Sequence, residues 1–322
     1  GVKIMAQTVN TIGTLTAENR VFYERALLKR LLPTLHAYND AQKSILPKNS
    51  GTTVNFRKFS SLAIPTSALT EGTTPNGKNL AVTAITAEAK QYGDYVVISD
   101  LLAKTGIDKA LTEGSLLCGE QAALLIDSVI LDAMYKTTNV VFAGDKATGT
   151  ITAADTLKEA DIMKVVLKLK NKNARRFEDG YYHAIITPAQ AYSLMGETGW
   201  IDAAKYGSIK KLLKGEVGEL HGVRFMESTN AKTILKTDSG AHGAASAKID
   251  TSDAIIYGAD SYGVVDMESG AGKPDIITKD FGSSGTDDPL NQRASVGWKN
   301  LFTATVLDND AIIKVTSAIA AV

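Results

Sequence analysis

A single cysteine in 322 residues, Cys118, excludes an intrachain disulfide framework. It sits among Leu116, Leu117 and Ala122 in a segment read as helix, which assigns it to a small buried apolar position rather than to a nucleophile. That cysteine usage fits synthesis in a reducing, cytoplasmic compartment. Excess charge of either sign is also missing: Lys+Arg and Asp+Glu both number 35, so the formal net charge is zero. A dedicated nucleic-acid binder normally carries a basic surplus, so any nucleic acid here is expected to be enclosed rather than gripped. No uninterrupted apolar run approaches the roughly 18 residues of a membrane span, and no signal peptide is visible.

Chemistry-bearing motifs are scarce too. The four histidines, His36, His183, His221 and His242, are scattered without metal-ligand spacing, and His183, alone in a strand, reads as a satisfied structural residue. There is no Gly-x-Ser-x-Gly elbow and no His-Glu-x-x-His, and the lone cysteine has no evident partner. Gly72–Lys78 matches Gly-x-x-x-x-Gly-Lys, yet Asn79 follows where Ser or Thr should meet Mg²⁺. Its flanks are strand-like, whereas a phosphate loop must open a helix whose N-terminus holds the anion. No catalytic, cofactor-binding or metal-binding residue is therefore assigned. A pair of carboxylates brought together only by folding is the catalytic alternative.

What the chain does contain is an ordinary globular balance, 44% hydrophobic and 22% charged, in a length that allows one large domain or two modest ones. Residues 51–99 stand out. Thr52–Phe59 and Leu80–Ala89 read as two strands of one ribbon, the second running on toward Tyr95–Ile98, around the turn-rich tip Glu71–Lys78. An isolated two-stranded ribbon is marginal in water. A limb of about ten residues reaches about 33 Å, past the edge of a compact domain. Another surface must receive it, and a second copy of the chain is the simplest supplier.

Around the ribbon, residues 1–16 read as an extended arm, and Thr16–Asn19 opens an amphipathic helix stopped by Pro33. Met5-Ala6 has the form of a natural start, leaving residues 1–4 as a cloning scar, upstream translation or the edge of a processed product. From Asp108 to about Thr138 a proline-free helix carries apolar residues on two sides, which predicts packing on both. A further helix spans about Asp155–Asn171, with Lys164, Lys168 and Lys172 on one face. Then come a buried strand at Tyr182–Ile186, a short helix from Pro188 to Leu194, a strand at Val223–Met226, and a flexible Gly-rich tract at 238–246. Short strands follow at 254–257, 264–267 and 275–280, and longer ones near 293–307 and 311–316. There is no tandem repeat and no βαβ alternation, so the class is α+β.

Two stretches carry a resemblance. Gly215-Glu216-Val217-Gly218-Glu219-Leu220-His221-Gly222-Val223-Arg224-Phe225-Met226-Glu227-Ser228 resembles a run seen in tailed-phage major capsid proteins. Asp288–Lys299 resembles the closing signature of the N-four-like podovirus major capsid family, and Arg25–Pro33, Pro47–Gly51 and Phe56-Arg57 are similar to it in matching order. The resemblance implies the Hong Kong 97-type capsid fold. It implies an N-terminal arm and helix at 1–46, an extended β-hairpin loop at 47–100, a peripheral domain with its spine helix at 101–186 and 271–322, and an axial domain at 187–270. It implies pentamers and hexamers of an icosahedral bacteriophage head enclosing double-stranded DNA, made in the host bacterial cytoplasm and residing in the virion. Portal, scaffolding and decoration proteins are further implied partners. Phe56, Arg57, Lys58, Glu71 and Lys78 are the expected contacts to a neighbouring subunit, with the Lys164/Lys168/Lys172 face read either as solvated or as turned toward packaged DNA. Lys58, Lys78 and Lys90 are available for the Lys–Asn crosslink of some relatives, but no pattern singles one out and none is expected. Two alternatives stay open: an encapsulin-like nanocompartment, and an enzyme with a pocket in the 187–270 lobe.

Overall fold

The computed structural model describes residues 36–47, 51–69, 77–101, 110–197, 216–244, 247–267, 274–283 and 288–319, with positions 49, 71, 72 and 74 between them. The arm and helix read at 1–33 lie outside the described residues, as does Gly215 of the first signature.

The chain enters through a one-turn helix, His36–Asn39, and strand β1, Gln42–Leu46. The ribbon is β2, Thr53–Phe59, and β3, Val82–Glu88, paired antiparallel with Phe56 opposite Ile85. The returning limb does not continue as part of that ribbon. At Ala89 it breaks and re-enters the body as β4, Lys90–Ser99. There it pairs with β15, Arg293–Val306, from Lys90↔Phe302 to Ser99↔Arg293. β15 is the axis of the first sheet: β4 covers one edge, while β13, Tyr262–Met267, and β14, Asp275–Lys279, share the other, with β1 parallel to β13. β4 and β15 approach closely at Gly297, where a Cβ would stand 2.6 Å from that of Tyr95, so a glycine is required.

The second sheet runs β5, Val140–Phe142; β16, Ile312–Ala318; β12, Thr251–Tyr257; β6, Tyr182–Ile186; β8, Val223–Glu227; and β7, Glu216–Leu220. A short β9, Thr233–Ile234, adds to β12. Every residue of β12 is buried, because a strand covered on both faces has no polar side to show. Ala254 and Ile256 face a core shared with the helices Glu159–Asn171 and Pro188–Met195. Ile255 and Tyr257 face the core of the long helix, Ala110–Met134. That helix joins the two sheets: Cys118, Ala122, Ile126, Ile130 and Met134 pack with Tyr262, Val264, Trp298 and Phe302 of the first sheet and Ile185 and Ile312 of the second.

Several sequence readings need correction. Of the second side of the long helix, read as Leu117, Leu124, Leu131 and Met134, the last two are buried as expected, while Leu117 and Leu124 are 59% and 45% exposed. Its Gly114–Met134 stretch is long and apolar enough on average to cross a membrane, although no uninterrupted apolar run exists; here 56% of that stretch is buried within the chain. The helix expected from Asp155 starts at Glu159, because Asp155 accepts hydrogen bonds from the Thr152 backbone N–H and Oγ1 (both 2.8 Å) and holds a turn. Asp161 caps the true start by accepting from the Lys158 backbone N–H, and its other oxygen accepts from the Gly144 N–H of the 143–145 turn. The tract read as flexible at 238–246 includes β10, His242–Ala244, hairpin-paired with β11, Ala247–Ile249. The short helix after Thr187 does begin at Pro188, with Thr187 and Gln190 forming a capping box.

Candidate assembly surface

In a paired ribbon, residues directly opposite share a face. Val54, Phe56 and Lys58, opposite Ala87, Ile85 and Thr83, form the face toward the body. Val54 and Phe56 pack on a small separate core of Leu46, Ala87, Ala89 and Val265. Lys58 Nζ makes a 2.6 Å ion pair with Asp308 Oδ2, just beyond β15. The other face carries Asn55, Arg57 and Phe59 opposite Thr86, Ala84 and Val82; Thr86 Oγ1 donates to Asn55 Oδ1 across it at 2.8 Å.

That outer face and everything beyond it is open. The Ser60 backbone N–H donates to the Ala81 carbonyl at 3.0 Å, which is the last backbone bond between the limbs among the described residues. From there Phe59, Leu62, Ile64, Leu69, Leu80 and Val82 are 61%, 57%, 85%, 78%, 67% and 49% exposed. Single exposed apolar side chains need no explanation, but six along one segment form an exposed apolar set that monomers rarely carry. Lys78 Nζ donates to the Ala63 carbonyl at 2.6 Å, bracing the distal loop across its own base.

The five residues expected to touch a neighbour therefore divide. Phe56 and Lys58 face their own chain; Arg57, Glu71 and Lys78 lie exposed on the outer face or the distal loop. The exposed apolar set, from Phe59 to Val82, was not singled out by sequence. The signal for it was present as apolar residues interrupting a turn-rich stretch. Of the Gly72–Lys78 look-alike, the described residues lead into β3 and not into a helix.

The other chemistry-bearing residues are built into the body. Cys118 is buried, and burial, with Asp94 nearby, pushes its thiol pKa up. His183 stacks on Phe177 with ring centroids 4.1 Å apart. Its Nδ1 lies 2.6 Å from Asp40 Oδ2 and its Nε2 2.9 Å from Asp179 Oδ2. Burial pulls its pKa down, but the hydrogen bonds to Asp40 and Asp179 outweigh that, and it ends above the ordinary histidine value. Arg224 pairs with Asp179 at 2.6 Å and Glu219 at 3.2 Å, and Tyr257 Oη donates to Asp40 at 2.9 Å. Tyr38 donates to buried Asp266, and Tyr262 Oη to the Ala37 carbonyl. Together these bonds fasten residues 37–40 to both sheets. His221 pairs with Glu159 at 2.6 Å. Of the lysine face, Lys164 pairs with Asp145 and Lys172 with Asp310, while Lys168 and Lys172 line a cleft of about 430 Å³ with Asn139 and Ile313. Among the described residues no group of three or more His, Cys, Asp or Glu side chains could hold a metal ion.

No family profile matches the chain and no curated protein sequence is similar to it. Solved structures are similar throughout its length. The capsid of Ralstonia phage GP4 superposes with a TM-score of 0.67 at 14% identity, over 88% of this chain and 91% of the other. The capsid asymmetric unit of cyanophage Pam1 gives 0.65 at 15% identity, over 99% and 98%. The acid-stable capsid of Helicobacter pylori bacteriophage KHP30 gives 0.62 at 12% identity, over 98% and 100%. With the ribbon, the long helix between two sheets and coverage of 88–99% of its length by these structures, the chain has the Hong Kong 97-type capsid fold.

Proposed function

We propose that this chain is a major capsid protein of a tailed bacteriophage, a structural component rather than an enzyme, building the icosahedral head of the virion. The observation that carries the reading is the ribbon: its inner face is satisfied by its own body, and its outer face and distal loop expose six large apolar side chains. A neighbouring copy in a symmetric shell supplies the missing surface, because one patch repeated by symmetry closes a container. Arg57, Glu71 and Lys78 provide the polar part of that contact, around the apolar set from Phe59 to Val82. Obligate interfaces of this kind bury roughly 2,000–5,000 Å² in total, more than a lone ribbon supplies, so the exposed Leu117 and Leu124 of the long helix are offered as a further part of it.

The finer elements of the reading are proposals on the same footing. The subunits form pentamers and hexamers, the 187–270 segment meets its copies around the symmetry axes, and the shell encloses double-stranded DNA without sequence preference. The absence of net charge supports enclosure over gripping, since phosphate contacts dominate the affinity of basic surfaces. Portal, scaffolding and decoration proteins are the partners such a head takes.

Negative-stain microscopy of the purified protein tests the proposal. Large closed heads, filled with DNA when isolated from infected cells, are expected. Small DNA-free cages would instead favour a protein nanocompartment. Discrete small oligomers, with no shell under any condition, would overturn the capsid reading.

A further inference from the structure

The ribbon root carries a finer inference, which rests on the assembly reading and deepens it. Two contacts hold the root's body-facing side. Phe56 lies against Gly263 of β13: a Cβ at position 263 would stand 3.1 Å from Phe56 Cζ, 3.2 Å from Cε1 and 3.0 Å from Leu307 Cδ1. Gly263 is buried in mid-sheet, where a side chain would ordinarily be favoured, so its lack of one makes the seat into which the phenyl ring drops. The second contact is the Lys58–Asp308 ion pair at 2.6 Å. Beside both runs a cleft of about 190 Å³, lined by Gln42, Phe56, Ile85, Asp260, Leu307 and Asp308 among others.

The root's core is small and separate from the two main cores, with Leu46, Ala87, Ala89 and Val265 as its buried members. Elements with few buried apolar contacts open locally at a fraction of the global stability, and the cleft leaves room for the root to tilt. Geometry amplifies such a tilt. Phe56 and Lys58 are two residues apart, about 7 Å along the strand, whereas ten residues beyond Phe59 reach up to about 33 Å. A 1 Å displacement at one contact therefore swings the distal loop by up to about 5 Å.

We propose that Gly263 and Asp308 are positioning residues of the assembly ribbon: Gly263 by leaving room for Phe56, and Asp308 by holding Lys58, they set the angle at which the ribbon leaves the body. Neither needs to touch the neighbouring subunit.

The test uses the full chain as unassembled subunits, spin-labelled at Leu69→Cys on the ribbon and Asp132→Cys on the long helix. Double electron–electron resonance then reads the distance between the labels. The wild-type background is expected to give one narrow distribution. Gly263→Ala forces Phe56 to shift by a few tenths of an ångström or leave its seat, and should move the mean distance by about 1–2 Å in the first case and by several ångströms in the second. Gly263→Ala with Phe56→Leu should bring it back. Asp308→Asn, an uncharged surface change that does not threaten folding, should broaden the distribution at least 1.5-fold without moving the body. If Gly263→Ala and Asp308→Asn both leave the distribution unchanged, the positioning role is wrong. Because the measurement is made on subunits, it is read separately from the capsid proposal. Shifted distances in a protein that never forms shells would sink the capsid reading and leave the ribbon geometry standing.

Discussion

The body and the ribbon solve the problem of apolar surface in opposite ways. In the body, the long helix lies between two sheets, and β12 sends Ala254 and Ile256 to one core and Ile255 and Tyr257 to another, all fully buried. Charged groups inside it pair with one another, as in the Asp40–His183–Asp179–Arg224 chain. The ribbon keeps only its inner face covered and sends Leu62, Ile64 and Leu69 outward, each more than half exposed. Monomeric soluble proteins rarely keep such a segment exposed. On the proposed reading, stability and assembly are housed in separate parts of one chain, so each is open to damage without the other.

The largest effect expected from that separation is loss of assembly with the fold retained. Deleting Glu71–Lys78, or replacing Leu62 and Ile64 together by Ser, should abolish shell formation in microscopy. Circular dichroism melting of the subunit should move by less than about 0.5 kcal/mol equivalent, as for exposed substitutions generally. Shells at normal yield would end the comparison, since the ribbon would then not be the clasp.

The converse is Trp298→Ala. The indole is 3% exposed, and its Nε1 donates to Gln121 Oε1 at 3.2 Å while Gln121 donates to Asp94 at 2.7 Å. Truncation should cost about 3–5 kcal/mol in denaturant titration, with the residue buried between the first sheet and the long helix. An unchanged midpoint would mean that the body is not held together there.

A smaller effect is pH-dependent. His183 has a folded pKa above its unfolded value, so its contribution is fully present below about pH 6.5 and is lost as pH rises through the folded pKa. Asp179 has the opposite sign. Burial raises it, but the hydrogen bonds from His183 and the Tyr181 N–H win and leave it lowered, so its contribution fades only as pH falls below the ordinary carboxylate range. Melting temperature should decline on the alkaline side in the wild type, and His183→Gln should flatten that decline. An identical pH profile for the two proteins would remove the histidine from the account. The smallest expected change is the stability of Asp308→Asn. Its ion pair is half exposed on the lysine side and should be worth about 0–1 kcal/mol, although the angle of the ribbon depends on it.

How much of this was readable from the chain follows from how local each signal is. Pro188 after Thr187, with Gln190 three residues on, is a helix start within four residues, and it forms as read. The β-rich run Tyr182–Ile186 and the proline-free stretch of the long helix are equally local. The break at Ala89 was not legible. Leu80–Ala89 reads as one limb running on toward Ile98, and only competition between β2 and β15 for the same backbone groups decides where the ribbon ends and the sheet begins. Nor was the His183 cluster, whose Asp40 partner lies 143 residues away. The late start of the 159–171 helix is a failure of a different kind: Thr152 captures Asp155 locally, a bond that competes with helix and is invisible to periodicity.

By itself the sequence determined the class of elements, the burial of Cys118 and the existence of a projecting two-stranded segment, because each depends on neighbours along the chain. Only the tertiary structure decided which face of that segment is satisfied. Val54, Phe56 and Lys58 meet the body, and Arg57 and Phe59 do not. Alternation along a strand specifies two faces, but it is the packing of distant residues, here Gly263, Leu307 and Asp308, that chooses between them.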